Sequence, residues 1–125
     1  MSLRIETESP KERVTKIALH GRLDSNTTPQ LDEVLTDVLA GDSISVVYDL
    51  ADLEYISSAG LRAIFRTKKE LEKKSGDIAV VNLQPAVKKV FDIVKALPIQ
   101  SVFTSWDEVD EYLDQMQKKV LEGDD

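Results

Sequence analysis

Residues 44–50, Ile-Ser-Val-Val-Tyr-Asp-Leu, form an apolar, β-branched run with a helical pattern on either side. This arrangement constrains the fold more than any other feature. Upstream, Thr28 followed by Pro29 marks a helix start: a hydroxyl cap, then a proline where its missing N–H costs nothing. Leu31, Val34, Leu35, Val38 and Leu39 share one face at three–four spacing, and Gly41 stops the helix. Downstream, residues 58–74 put Leu61, Ile64, Phe65 and Leu71 on a buried face and end at Gly76. A buried strand fed and followed by helices needs neighbours reached by crossovers, which points to parallel pairing.

The flanks extend this pattern. Leu3, Ile5 and Thr7 alternate with Arg4 and Glu6 as a short half-buried strand. A turn at Ser9-Pro10-Lys11-Glu12 leads to a second strand over residues 14–20, so an antiparallel hairpin is expected. After the second helix, residues 78–83 read as another buried strand. Pro85 opens a third helix with Val87, Val90, Phe91 and Val94 on one face, stopped before Pro98. A brief strand at residues 101–103 precedes a last helix. Its capping box is Ser105 with Glu108, and its face is Val109, Tyr112, Leu113, Met116 and Val120. The expected fold class is therefore α/β: an N-terminal β-hairpin, then alternating strands and helices, giving a mostly parallel mixed sheet with about four helices. One domain over residues 1–125 is expected, ordered over about 3–120, with an acidic tail at 122–125 that frays.

Composition removes several function classes. The chain has no cysteine, which excludes disulfides, thiolate metal sites and cysteine catalysis. Its net charge of −7 argues against nucleic acid, where phosphate neutralisation supplies most of the non-specific affinity. Arg62, Arg66, Lys68, Lys69, Lys73 and Lys74 gather on one segment, and Asp107, Glu108, Asp110, Glu111 and Asp114 on another. Both read as solvated helix faces. No apolar run approaches the ~18 residues that span a bilayer. No membrane insertion and a cytoplasmic location are expected.

The candidate site lies at the junction Tyr55-Ile56-Ser57-Ser58-Ala59-Gly60-Leu61-Arg62. In parallel sheets sites gather at the carboxyl ends of strands, where this junction falls. Ser57 reads as the helix cap. Ser58 then sits in the first turn with its hydroxyl pointing outward, and nothing bulky is expected to shield the helix start. The positive pole of the helix dipole and the free first-turn N–H groups could accommodate a phosphate there. Gly60 costs ~1 kcal/mol against alanine within a helix. It is thus expected to serve an interface, with Gly60→Ala neutral or stabilising for the fold. His20, the single histidine, reads as a polar residue at a strand end and sheet edge.

The chain also resembles the STAS family, the anti-sigma factor antagonists, over residues 3–113. Gly21-Arg22-Leu23-Asp24 is similar to the family's Gly-x-Leu-Asp at the end of the second strand. Asp49-Leu50-Ala51-Asp52-Leu53 resembles the approach to the family's signature, with Ser58 two residues before Gly60. Ala86-Val87-Lys88-Lys89-Val90-Phe91 resembles its third-helix motif. Sporulation-type members have aspartate before the phosphorylated serine, where this chain has Ser57. The resemblance implies a phosphorylation-controlled binding module with Ser58 as acceptor and Ser57 as the alternative. Asp24, Ser25, Asn26, Ser57, Ser58, Ala59, Gly60 and Arg62 would form the partner face. Arg62 reads as a rim contact or phosphate partner; Asp24 reads equally as a turn residue or as a charge repelling the phosphate. The implied partners are a GHKL-type serine-kinase anti-sigma factor using ATP, and a PP2C-type phosphatase that resets the serine.

Two other functions compete. A serine-dependent enzyme lacks support: Ile56 stands where a nucleophile elbow needs glycine, and nothing places His20 as a base. No catalytic residue, cofactor or metal site is expected, since phosphate loops and His-rich spacings are absent. An accessory subunit of a lipid-transport ATPase or of a stress-signalling assembly would share the fold, and only its partners would separate it.

Overall fold

The structure is a computed structural model describing residues 2–96 and 106–121. Its elements are β1 (Leu3–Lys11), β2 (Val14–Leu23), α1 (Thr28–Ala40), β3 (Ser45–Ile56), α2 (Ser58–Glu72), β4 (Asp77–Val81), α3 (Pro85–Ala96) and α4 (Trp106–Leu121). The strand expected at residues 101–103, the side chains of the Ser105–Glu108 capping box and of Val109, and the tail at 122–125 lie outside what is described.

The four strands among the described residues lie in chain order, β1-β2-β3-β4. β1 pairs antiparallel with β2, whereas β2–β3 and β3–β4 are parallel. The hairpin is longer than the sequence pattern implied. Ser9, Pro10 and Lys11 belong to β1, the register shifts between Glu8 and Lys11, and the turn is Glu12-Arg13 with Arg13 at φ 65°. Proline is tolerated there because β1 is an edge strand at an irregularity. β3 also runs past Leu50 to Ile56, keeping pace with β2 through two register shifts. These shifts hide the alternation of Leu50, Leu53 and Ile56, so residues 51–56 look like a connection in the sequence. β4 is half-buried rather than buried, and Val81 is exposed.

Both parallel connections step the same way across the sheet, and right-handed crossovers then place α1 and α2 on one face. Ile17, Leu19 and Leu23 of β2 and Val46, Tyr48, Leu50, Leu53 and Ile56 of β3 form one core with residues of each of the four described helices. The helical contribution is Leu31 and Leu35 of α1, Leu61, Ala63, Ile64 and Leu71 of α2, Val87 and Val90 of α3, and Leu113 of α4. Phe65 and Tyr112, both expected inside, are exposed instead. Phe65 packs edge-to-face on Phe91 with ring centroids 6.2 Å apart. The opposite sheet face is polar. Lys16 lies 3.4 Å from Glu8 and 3.5 Å from Asp49, and His20 sits between Asp52 (2.7 Å) and Glu6 (2.6 Å). His20 is therefore a mid-sheet residue on β2 rather than an edge residue.

Tyr48 is fully buried, and its hydroxyl lies 2.8 Å from Thr67 Oγ1, which itself donates to the Ala63 carbonyl. The tyrosine must then be the donor to Thr67. Burial pushes its phenol pKa well above the usual value. The folded state disfavours the phenolate, so this contribution to stability is complete below pH ~10 and is lost as pH rises beyond it. Tyr48→Phe should lose about 1 kcal/mol near neutral pH through the missing hydrogen bond. Its stability should then fall less steeply than wild type above pH ~10. Urea melts at about pH 8 and about pH 11 check both signs; equal alkaline slopes would reject the assignment.

Candidate functional site

The ends of β2 and β3 lie side by side, because Ser57 N–H donates to the Leu23 carbonyl at 2.9 Å. The loop Asp24-Ser25-Asn26 is thereby brought next to the Ser57-Ser58 junction. Asp24 acts as a turn residue: its Oδ1 accepts from the amides of Asn26 (3.0 Å) and Thr27 (3.1 Å). Thr27, rather than Thr28, is the cap residue of α1, and its hydroxyl donates to the Arg22 carbonyl. Thr28 donates to the Asp24 carbonyl at 2.6 Å. Ser25 and Asn26 are exposed.

Ser57 caps α2 as expected, its hydroxyl accepting from Gly60 N–H across a long 3.4 Å. Ser58 departs from expectation. It is the first residue of α2, but it is 0% exposed, and its Oγ has no hydrogen-bond partner among the described residues. Its backbone N–H donates to Asp110 Oδ1 at 2.8 Å. The helix start is thus covered by a carboxylate from α4, which occupies the positive pole where an anion is favoured. Ala59 is half-buried, and Arg62 is exposed with its Nε donating to the Ser58 carbonyl at 3.3 Å.

Gly60 is buried, and an added Cβ would stand 2.8 Å from both Cγ and Cδ2 of Leu23 and 3.0 Å from Ile56 Cγ1. Close packing of α2 on the strand ends accounts for the glycine within the fold, whatever it does at an interface. Leu23 is itself fully buried and has little room to yield. Gly60→Ala should therefore destabilise by about 1–3 kcal/mol through overpacking, not stabilise. A denaturant melt with an unchanged or higher midpoint would show that Leu23 can yield.

Two site residues were missed in the sequence. Asp110 belongs to the acidic cluster read as a solvated face, yet it reaches 52 residues back to Ser58. Gln117 is fully buried: Oε1 accepts from Ile56 N–H (3.0 Å), while Nε2 donates to the carbonyls of Ile56 (2.9 Å) and Leu113 (3.1 Å). β4 pairs with β3 only as far as Asp49, so this amide takes over the uncovered flank of β3. A polar residue four positions after Leu113, on the apolar stripe of α4, was the available signal. Beside them, the Arg22 guanidinium stacks 3.8 Å from the Tyr55 ring. Burial raises the Tyr55 pKa, aided by the negative charges of Asp114 and Asp110 and opposed by Arg22.

Chemically, the junction offers two buried hydroxyls, Ser57 engaged by Gly60 and Ser58 without a partner among the described residues, beside a helix N-terminus and surrounding carboxylates. His20 faces Asp52 and Glu6 on the polar side of the sheet, and no described side chain hydrogen-bonds Ser58 Oγ as a base would. No group of three or more metal-ligating side chains occurs among the described residues. None of the helices among them is long and apolar enough to cross a membrane.

A mixed four-stranded sheet, with its helices around one core and a serine at the strand-to-helix junction, defines a small α/β domain of a recognisable class. The STAS-domain family model matches residues 6–109, and the chain belongs to that family. BtrV of Bordetella bronchiseptica, which bears the name of a putative anti-sigma factor antagonist, is 37% identical over 87 residues, covering 70% of this chain and 75% of that protein. An anti-sigma-B factor antagonist of Staphylococcus aureus is 27% identical over 93 residues, covering 74% and 85%. Among solved structures, the anti-sigma factor antagonist SpoIIAA in its unphosphorylated form shares the fold with a TM-score of 0.68 at 22% identity, covering 74% of this chain and 81% of that one. The Bacillus SpoIIAA structure in the phosphorylated form gives 0.63 at 22%, covering 73% and 83%. As a STAS domain of this kind the chain is a binding module and not an enzyme.

Proposed function

We propose that the chain is an anti-sigma factor antagonist, a single STAS domain of the cytoplasm whose partner affinity is set by phosphorylation of Ser58. Unphosphorylated, it binds a GHKL-type serine-kinase anti-sigma factor and frees that protein's client. The kinase transfers phosphate from ATP to Ser58 and ends the complex, and a PP2C-type phosphatase resets it. The observation that carries the choice of serine is the unpaired Ser58 Oγ at the first residue of α2, against a Ser57 hydroxyl already engaged by Gly60. The relatives' names support the antagonist role, and a similar fold has been solved in a phosphorylated form. Ser25, Asn26 and Arg62 present the exposed part of the partner face, with Asp24 and Ala59 half-buried behind them. A phosphate brings roughly −1.5 to −2 charges, which at a packed interface cost desolvation and repel facing carboxylates.

Phosphopeptide mapping after treatment with the cognate kinase and ATP tests this. Label should appear on Ser58 and vanish in Ser58→Ala. Ser57→Ala should still be labelled, while losing about 0.5–1 kcal/mol of stability with its cap. Label on Ser57 in the wild-type protein would overturn the assignment.

A further inference from the structure

We infer that α4 is a gate on Ser58, which must leave the β3–α2 junction before the hydroxyl can receive or keep a phosphate. The inference deepens the reading of Ser58 as acceptor and rests on it. Three hydrogen bonds tie α4 to the junction, beside the packing of Leu113 in the core: Asp110 on the Ser58 N–H, and the Gln117 amide on both the N–H and the carbonyl of Ile56. Beneath them the Ser58 side chain is 0% exposed with no partner for its hydroxyl. A buried unpaired hydroxyl is unfavourable, so nothing about Ser58 itself explains the closed arrangement.

In phosphoryl transfer the serine oxygen bonds to the γ-phosphorus of ATP. The bond from that phosphorus to the β,γ-bridging oxygen breaks, ADP departs, and the hydroxyl proton passes to a base on the kinase. This needs attacking and leaving oxygens in line, hence an open approach to Oγ. In the closed form Oγ has none. The product meets a second obstacle: phosphate and the Asp110 carboxylate are both anions seeking the same helix N-terminus. Release of Asp110 resolves both at once, exposing the hydroxyl and vacating the N–H groups that a phosphate can use. The α4-open population then scales the rate of modification, and phosphate on Ser58 in turn favours the open form.

The absence of cysteine makes the gate measurable without a kinase. Ser58→Cys introduces a unique thiol, and its reaction with Ellman's reagent reports opening. That thiol should react about 100-fold or more slowly than the one introduced by Ser25→Cys, as expected for a group reached only by local opening. Adding Asp110→Ala to Ser58→Cys should accelerate the reaction by about tenfold or more, the equilibrium change expected for one charge-assisted hydrogen bond. Asp110→Asn, which still offers a carbonyl oxygen to the position-58 amide, should accelerate it less, and Glu33→Ala on α1 should have no effect. Equal rates with and without Asp110→Ala would overturn the gate, as would a thiol at position 58 reacting as fast as one at position 25. It also falls if the position-58 thiol is protected to the same degree as global unfolding measured by denaturant, since no separate opening of α4 would then exist. Hydrogen exchange on the otherwise wild-type chain, with phosphoserine installed at position 58 during translation, guards against misfolded variants. Amides of residues 110–118 should lose protection while those of β2 keep it; unchanged protection of α4 would overturn the proposal. Phosphopeptide mapping separates the two readings. Phosphate on Ser58 with no Asp110 effect removes the gate alone. Phosphate on Ser57 with a strong Asp110 effect removes the acceptor, and α4 then covers Ser58 without gating the switch.

Discussion

Replacing Gln117 by leucine should lower the unfolding free energy by about 2–5 kcal/mol, although the two side chains are similar in size and the position is fully buried. The loss comes from what stays behind. Ile56 keeps an N–H and a carbonyl with no water and no partner, since β4 pairs with β3 only up to Asp49. Each stranded group costs about 1–3 kcal/mol, and the extra apolar contact from leucine recovers only part of this. A chain of this size has a total stability of about 5–15 kcal/mol, so the variant should melt roughly 10 °C lower. Denaturant melts with an unchanged slope and a lower midpoint are the expected signature. A loss below about 1 kcal/mol would mean that the Ile56 groups find other partners.

Gly76→Ala should be at least as damaging. A Cβ at position 76 would lie 1.8 Å from the Ile44 carbonyl oxygen and 2.7 Å from its carbonyl carbon. Both are backbone atoms at the entrance to β3, and the same oxygen accepts from Asp77 N–H at 3.1 Å. No rotamer change relieves such a collision, so the start of β4 must move away and break that bond. The sequence pattern assigned Gly76 to ending α2, but the positive φ after that helix belongs to Ser75 at 64°. The glycine is needed for the close approach of two strands. A loss of about 4 kcal/mol or more places the substitution among the exceptional cases. A midpoint within experimental error of wild type would show that the β3 and β4 starts can separate freely.

Elements carried by an uninterrupted period were legible in the sequence. Leu31, Leu35, Leu61, Ile64, Val87 and Val90 all point inward as their spacing implied, and Ser57 caps α2. Regions where the period breaks were not. The register shifts in β2–β3 disguised residues 51–56 as a connection, and the apolar run of β4 gave no sign that the strand would be half-exposed, with Val81 at the surface. At the site, the serine junction could be located because strand end and helix start are adjacent in the chain. Its covering could not, because Asp110 and Gln117 act across 52 and 61 residues. A charged residue in an acidic helical segment gives no sign of which distant amide it will meet.

The sheet is laid down in the order in which its strands are written, each β-strand docking on the one before it. During synthesis the hairpin can therefore form first, followed by the two crossover units, each once its next strand has been made. The residues that close over Ser58 are translated some fifty to sixty positions after it. The nascent protein thus has an interval in which the serine junction is built but uncovered, and a kinase or partner meeting the chain on the ribosome encounters a different surface from the one it meets in the finished molecule.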